Sequence, residues 1–453
     1  MVAESLGPNA ALTGLEDRSP RGIAGAFSRA IRAGELAPGD RLPTVRDVAA
    51  ALGVSPATVS AAWQALRRTG LVVSRGRAGT FVHETRQEWL SPRQQGLVGS
   101  TGPARADLRL DLSRGTPDPA LLPSLGPALS RVSSTAGTWV YQEVPVLPGL
   151  GEALAESWPY RPDSITIIDG ATDDVARVLE EVVSYGDRVV LESPGYPPFY
   201  DLVDALGAEV VPVELDAEGV RPDSLHRALG ARPVAVVLQP RAHNPTGVSM
   251  TTTRAADIAA VVRRAGAATL VVEDDHSGAI STSPDVSLGT HLPDVVHVRS
   301  FSKSHGPDLR IAALGGPTAL VDRLVARRML GPGWTSRMLQ SILLDLLTSS
   351  QSRDDVAEAR RQYYGRQRSL VAALASYGVE VAPPDGINLW LPVRDERAAL
   401  LHLATVGIRV AAGSVFLDAG STAATHVRVT AGLVTADRAD EVARALAAAT
   451  TAG

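Results

Sequence analysis

A chain of 453 residues, 45% hydrophobic and carrying a net charge of −5, is too apolar for a disordered protein and too long for one compact core, so about three domain-sized units are expected. It has no cysteine, which excludes disulfides, thiolate zinc sites and cysteine nucleophiles. No apolar run reaches the ~18 residues of a membrane-spanning helix, and the first residues lack the basic-then-apolar plan of a signal peptide, so a cytoplasmic protein without a membrane partner is expected.

The charge is uneven. From Arg18 to Val82, ten arginines stand against Glu35, Asp40 and Asp47, a net of +7, which leaves −12 for the remainder. A basic segment on an acidic body predicts different partners for the two, with a polyanion facing the basic one. In chain order, residues 1–17 read as a flexible N-terminus. Ile23, Phe27, Ala30 and Ile31 then recur at helical spacing. LAPGD is a turn, and TVRDVAAALG predicts a second helix capped by Thr44 and ended by Gly53. A third helix runs through VSPATVSAAWQALRRTG, with Ser55 as N-cap and Pro56 as its first residue. Two short helices joined at Gly53-Val54 make a helix-turn-helix. LVVSRGRAGTFV then predicts two short strands around an arginine-bearing turn, a hairpin wing.

Over residues 18–82 the string GDRLPTVRDVAAALGVS, followed by TV and GTFV, resembles the winged helix-turn-helix of GntR-type bacterial regulators. The resemblance implies a third helix in the major groove of an operator. Arg46, Ser55, Thr58 and Ser60 would face DNA, and Arg75 and Arg77 of the wing would touch phosphate or the minor groove. The family often has arginine where this chain has Ser55-Pro56.

Residues 83–106 show no sustained period, are rich in Gly, Pro, Gln and Ser, and read as a linker. From residue 107 to 453, short β-rich runs (ITIIDG, RVVLESP, EVVPVEL, AVVLQP, TLVVEDD, VVHVRS) alternate with amphipathic stretches. Such alternation predicts an α/β domain with a largely parallel sheet and ligands at the strand C-termini. A smaller α+β unit is expected from about residue 340.

Polar residues fall just after these strands. Gly170, Ala171 and Thr172 sit at a strand-to-helix turn suited to a phosphate. Asn244 follows AVVLQP, and Glu273, Asp274 and Asp275 end TLVVEDD. Of the 44 Lys and Arg residues all are arginine but one, Lys303, in SFSKSHGPDLR. An arginine stays protonated and forms no imine, whereas a lysine amine can lose its proton and form one. Pyridoxal phosphate needs an amine, a carboxylate for its ring nitrogen, a donor for its ring hydroxyl and a phosphate cup. Lys303, Asp274, Asn244 and the group Thr172, Ser300, Ser302 and Arg310 match these requirements in turn. No metal site is expected.

GATDD, DRVVLESPGYPPF, NPTG, EDDHSG and SFSK with its later arginine resemble the class I aminotransferases of fold type I. The resemblance implies that Ala171, Thr172, Tyr196, Asn244, Asp274, His276, Ser300, Ser302 and Arg310 surround the cofactor. Lys303 would form an aldimine with it, and Arg428 in HVRVTAG would hold a substrate or effector carboxylate. One departure is His276, where the family usually has tyrosine. A second is YQEVPVLPGLGEAL, which matches the entry segment loosely. Joined, the halves resemble the MocR-type, GabR-like branch of the GntR family: regulators sensing pyridoxal phosphate or an amine, usually as head-to-tail dimers. The alternative is a working aminotransferase with an added DNA-binding domain; His276 favours the regulator without net turnover.

Overall fold

The first helix, α1 (Pro20–Arg32), starts where Ser19 accepts a hydrogen bond from the Gly22 amide and Pro20 presets the first turn. The molecule is described here from a computed structural model, which covers residues 15, 17–33, 35–68, 71–74, 79–83, 90–98, 108–132, 144–266, 269–418, 420 and 425–452. Its chain divides into two compact units, Met1–Ser91 and Pro92–Gly453.

In the first unit, α2 (Val45–Leu52) carries a full capping box. The Thr44 hydroxyl accepts from the Asp47 amide, and the Asp47 carboxylate accepts from the Thr44 amide. Gly53 ends the helix at φ 66°, a left-handed conformation that glycine takes without a Cβ penalty. The turn leads into α3 (Pro56–Arg68). Ile23 and Phe27 of α1, Val48 and Leu52 of α2, and Val59, Trp63 and Leu66 of α3 close one small core. At its centre Phe27 meets the Trp63 ring edge-on, 4.7 Å between centroids. The wing strands β1 (Val72–Ser74) and β2 (Thr80–Val82) pair antiparallel. Arg75 and Arg77, expected in its turn, lie outside the described residues.

The second unit is built on a seven-stranded sheet. Its strands are β3 (Ser164–Ile168), β4 (Arg188–Glu192), β5 (Glu209–Val213), β6 (Ala235–Leu238), β7 (Leu270–Asp275), β8 (Val295–Ser300) and β9 (Ala312–Gly316), in the spatial order β3-β9-β8-β7-β6-β4-β5. All neighbours are parallel except β9, which runs antiparallel to both β8 and β3. The central runs are continuously apolar rather than alternating because helices cover both faces. A smaller three-stranded antiparallel sheet, β10 (Leu389–Pro392), β11 (Ala411–Ala412) and β12 (His426–Val429), packs on helices 350–376 and 439–450 through Leu370, Leu374, Leu389, Val427 and Leu446.

The segment read as a linker contains a helix, α4 (Pro92–Val98). Seven residues are too few to show a helical period, but the second unit holds it firmly. The Arg93 amide donates to Asp201, and its guanidinium donates to the Val415 and Leu417 carbonyls and lies over the Tyr200 ring. Among the described residues no helix is long and apolar enough to cross a membrane, and no cluster of His, Asp and Glu could hold a metal ion.

Candidate functional site

On the first unit, Arg46 is exposed in the first turn of α2, and Ser55 is exposed just before α3. Thr58 and Ser60 are half-buried. The Ser55 hydroxyl accepts from the Thr58 amide at 3.1 Å and lies 2.8 Å from the Thr58 hydroxyl. Both hydroxyls thus serve the helix start as well as its surface.

On the second unit, the residues singled out in the sequence gather about the C-terminal ends of the large sheet's central strands. Lys303 follows β8, half-buried, and its Nζ donates to the Gly115 carbonyl at 2.5 Å. Burial and the nearby Arg428 charge push its amine down to about 8, against the opposite pull of Asp274. Asp274, on the neighbouring strand β7, is buried. Its Oδ2 accepts from Gln239 Nε2 at 2.8 Å, while its Oδ1 has no hydrogen-bond partner. Burial raises this carboxyl to about 7, despite the Gln239 bond and the Lys303 charge.

Gln239, at the end of β6, organises the centre. Its Oε1 accepts from the Asn244 main-chain amide at 2.9 Å, and its own main-chain N–H donates to Glu192 Oε2 at 2.8 Å. The Asn244 Oδ1 accepts from Arg428 at 3.2 Å. Arg428 projects from β12 and is wholly enclosed. It lies over the Phe416 ring, donates to the Ser113 carbonyl, and is pushed down to about 10 by burial. Tyr196 precedes the helix Pro197–Ala205; burial and the Asp274 charge raise its phenol, a hydrogen bond with Thr172 lowers it, and Arg428 and Arg310 also lie within electrostatic reach.

The strand-to-helix turn is shaped for close approach. Gly170 sits at φ 113° ahead of helix 171–182, which begins with Ala171 and Thr172. A Cβ there would lie 2.8 Å from the Arg310 guanidinium. Arg310, itself left-handed at φ 47°, is exposed and donates to the Asp169 carbonyl at 3.1 Å. Ser300 is buried and its hydroxyl accepts from the Ser302 amide at 3.2 Å.

His276 stands where the resembling family usually has tyrosine. Its Nε2–H donates to the Ala242 carbonyl at 2.9 Å, and burial, aided by the Lys303 charge, pushes it down to about 4. It is therefore neutral at physiological pH, with one ring nitrogen already committed. Sequence reasoning passed over Gln239, Asn388, which lies 3.5 Å from Asn244, and Gly115, whose carbonyl receives Lys303. For Gln239 a signal was present: a lone amide ending the apolar run AVVL.

The family models match this arrangement. Residues 21–82 match the bacterial regulatory proteins of the gntR family, and residues 109–446 match aminotransferase class I and II. The vitamin B6 salvage pathway transcriptional repressor PtsJ of Salmonella typhimurium is 34% identical over 92% of this chain and 95% of its own. The HTH-type transcriptional regulator TauR of Rhodobacter capsulatus is 28% identical over 86% and 87%. In fold alone, the second unit is similar to LysN, an alpha-aminoadipate aminotransferase from Thermus thermophilus solved with N-(5'-phosphopyridoxyl)-L-leucine. That likeness has a TM-score of 0.68 at 22% identity over 76% of this chain and 92% of LysN. A gntR-type helix-turn-helix followed by an aminotransferase class I and II domain, with relatives of the same two-part plan along nearly their whole length, places the chain in the MocR-type transcriptional regulators of the GntR family.

Proposed function

We propose that the second unit holds pyridoxal 5'-phosphate at Lys303, and that the chain changes its grip on an operator in response to that compound or to an amine reacting with it. The single observation that carries this is Asp274: a buried carboxyl with one oxygen unpartnered, across from the one lysine of the chain. An orphaned buried acceptor is unstable unless a ligand donor meets it, and a protonated pyridine nitrogen is such a donor. The cofactor, when bound, supplies an aldehyde carbon open to amines and an electron-withdrawing ring.

The chain's own residues do the rest. Lys303, held near 8, keeps roughly a tenth of its amine neutral at pH 7 and so ready to attack a carbonyl. Ala171, Thr172, Ser300, Ser302 and Arg310 supply amides, hydroxyls and a guanidinium for the phosphate, at a helix N-terminus that favours an anion. Asn244 and Tyr196 would hold the ring oxygen. Arg428 takes an effector carboxylate. His276 stands where a proton donor would assist turnover, but as a neutral ring with its N–H given to Ala242 it leaves that task unfilled. This supports sensing rather than transamination. The kinship with a vitamin B6 salvage repressor supports pyridoxal phosphate itself as an effector.

The test is DNA affinity of the full chain with and without pyridoxal phosphate, then with candidate amines. A change of about 5–150-fold is expected, and Lys303→Ala should flatten it. Identical affinity under every condition rules the sensor out. On the DNA side, Arg46→Ala should weaken binding to the operator by about 1–3 kcal/mol if its side chain reads a base. An equal loss on random sequence would reassign Arg46 to the phosphate backbone.

The chain is proposed to act in the cytoplasm as a homodimer, head to tail. Exposed Leu129, Met329, Leu330 and Met338 supply apolar surface of the sort a second copy covers. Sedimentation at micromolar concentration would reveal a monomer if this is wrong.

A further inference from the structure

Strand alternation gives the large sheet a second chemical face. In the parallel pairing of β7 with β8, Glu273 lies beside His297 and Asp275 beside Arg299, one residue out of phase with Asp274. Asp275 and Arg299 therefore point to the opposite face from Asp274, whose charge acts on Lys303. On that reverse side lies a cavity of about 1010 Å3, bounded by residues 153–157, 278–285, 299–305 and 347–360. Of the residues assigned above to the cofactor, Ser300 alone also borders it. The volume suits a small molecule, for which ~300–1,000 Å3 is usual.

Its walls carry four guanidinium groups, from Arg241, Arg299, Arg353 and Arg360, against the carboxylates of Glu156 and Asp285. Arg241 is fully engaged. It donates to Asp275 at 2.6 Å and to the Gly278 carbonyl at 3.2 Å, and pairs with Asp285. Arg299 is not. Its Nη1 donates to Ser157 at 3.1 Å and its plane lies 4.9 Å over the Trp158 ring, but its buried Nη2 has no hydrogen-bond partner. Asp275 and Asp285 approach Arg299 no closer than 4.0 Å. Arg353 and Arg360 stand two turns apart on the long helix 350–376, so they share a face. Neither makes a side-chain hydrogen bond or ion pair among the described residues. Leu154, Phe301, Leu347 and Val356 add an apolar wall.

We propose that this rear cavity binds a small phosphorylated organic molecule, as a second ligand site on the opposite side of β8 from Lys303. Guanidinium forks match phosphate oxygens in pairs. An unfilled buried Arg299 nitrogen and two unpaired arginines leave donors for a dianion, and the apolar wall receives the organic part. The proposal does not rest on the reading of Lys303.

Phenyl phosphate is the probe, with benzoate as the carboxylate control. Both are titrated calorimetrically into the full chain after pyridoxal phosphate has been fixed at the front site by borohydride. Where no cofactor binds, the wild-type chain is titrated directly, and the Arg353 and Arg360 variant separates the rear cavity from the front site. One equivalent of phenyl phosphate is expected with a Kd of roughly 1 mM or tighter, and benzoate about tenfold weaker or more. The double change Arg353→Gln and Arg360→Gln, at exposed positions, should weaken phenyl phosphate by about tenfold with no change in melting temperature. Arg299→Met should weaken it further. No binding in the wild-type chain, or equal binding in the double variant, overturns the site. Benzoate binding as tightly as phenyl phosphate overturns the assignment to phosphate.

Discussion

Asp274→Asn is expected to make the cofactor-free chain more stable at pH 8 and to weaken pyridoxal phosphate by two or more orders of magnitude. The first effect follows from linkage. The Asp274 carboxyl is raised by burial from 3.8 to about 7 in the folded chain, so the folded state keeps its proton to higher pH than the unfolded state does. Stability from this group is intact below about pH 4, declines as pH rises towards 7, and is level beyond. The full decline is about 4 kcal/mol at ~1.4 kcal/mol per unit. Asparagine carries no such charge, so the melting temperatures of wild type and variant should diverge from about pH 4 to pH 7 and run parallel above that. A gap independent of pH would show that the carboxyl is not held protonated. The second effect is the loss of a buried pair with the ring nitrogen, about 3–5 kcal/mol when one partner is removed. A residue that destabilises the empty chain and strengthens the loaded one marks a binding site more surely than a stability screen would.

Trp63→Ala should abolish DNA binding and leave cofactor trapping unaltered. Trp63 packs in the first unit's core against the Phe27 ring, the other aromatic side chain of that core. Removing a buried tryptophan costs about 3–5 kcal/mol, and a domain of some 65 residues has little beyond ~5 kcal/mol to lose. The second unit has cores of its own. Borohydride-fixed pyridoxal phosphate and operator binding, measured on the same sample, should separate. Joint loss would mean that the two units do not fold independently.

Much of the architecture was legible because the physics is local. Val- and Ile-rich runs marked six of the seven large-sheet strands, and Thr44, Gly53 and Ser55 marked helix ends by cap chemistry that needs no tertiary context. The seventh strand, AALGG, was passed over. It lacks β-branched residues and takes its place from β3 and β8 on either side. The helix 92–98 was missed because what holds it is Asp201 and two carbonyls more than three hundred residues onward. Lys303 stood out by its uniqueness, Asp274 and Asn244 by following strands. Gln239 did not, because its importance lies in joining Asn244, Asp274 and Glu192, and only folding brings those three within reach. His276 stood out as a departure from the family pattern, but its low basicity comes from burial that no spacing reveals.

The hydrogen bonds to Ser113 and Gly115 bear on dose response. In the proposed site, both cationic groups that a ligand would address are already occupied by main-chain oxygens, Arg428 by Ser113 and Lys303 by Gly115. A carboxylate that takes Arg428 Nη2, or an aldehyde that takes Lys303 Nζ, would displace that main-chain segment. In the proposed site that segment would act as a standing competitor at fixed effective concentration and would set the level of metabolite below which the regulator stays silent. The Gly115 amide donates to the Thr430 hydroxyl at 2.9 Å, so the strength of that tether would tune the threshold without touching either ligand-binding group.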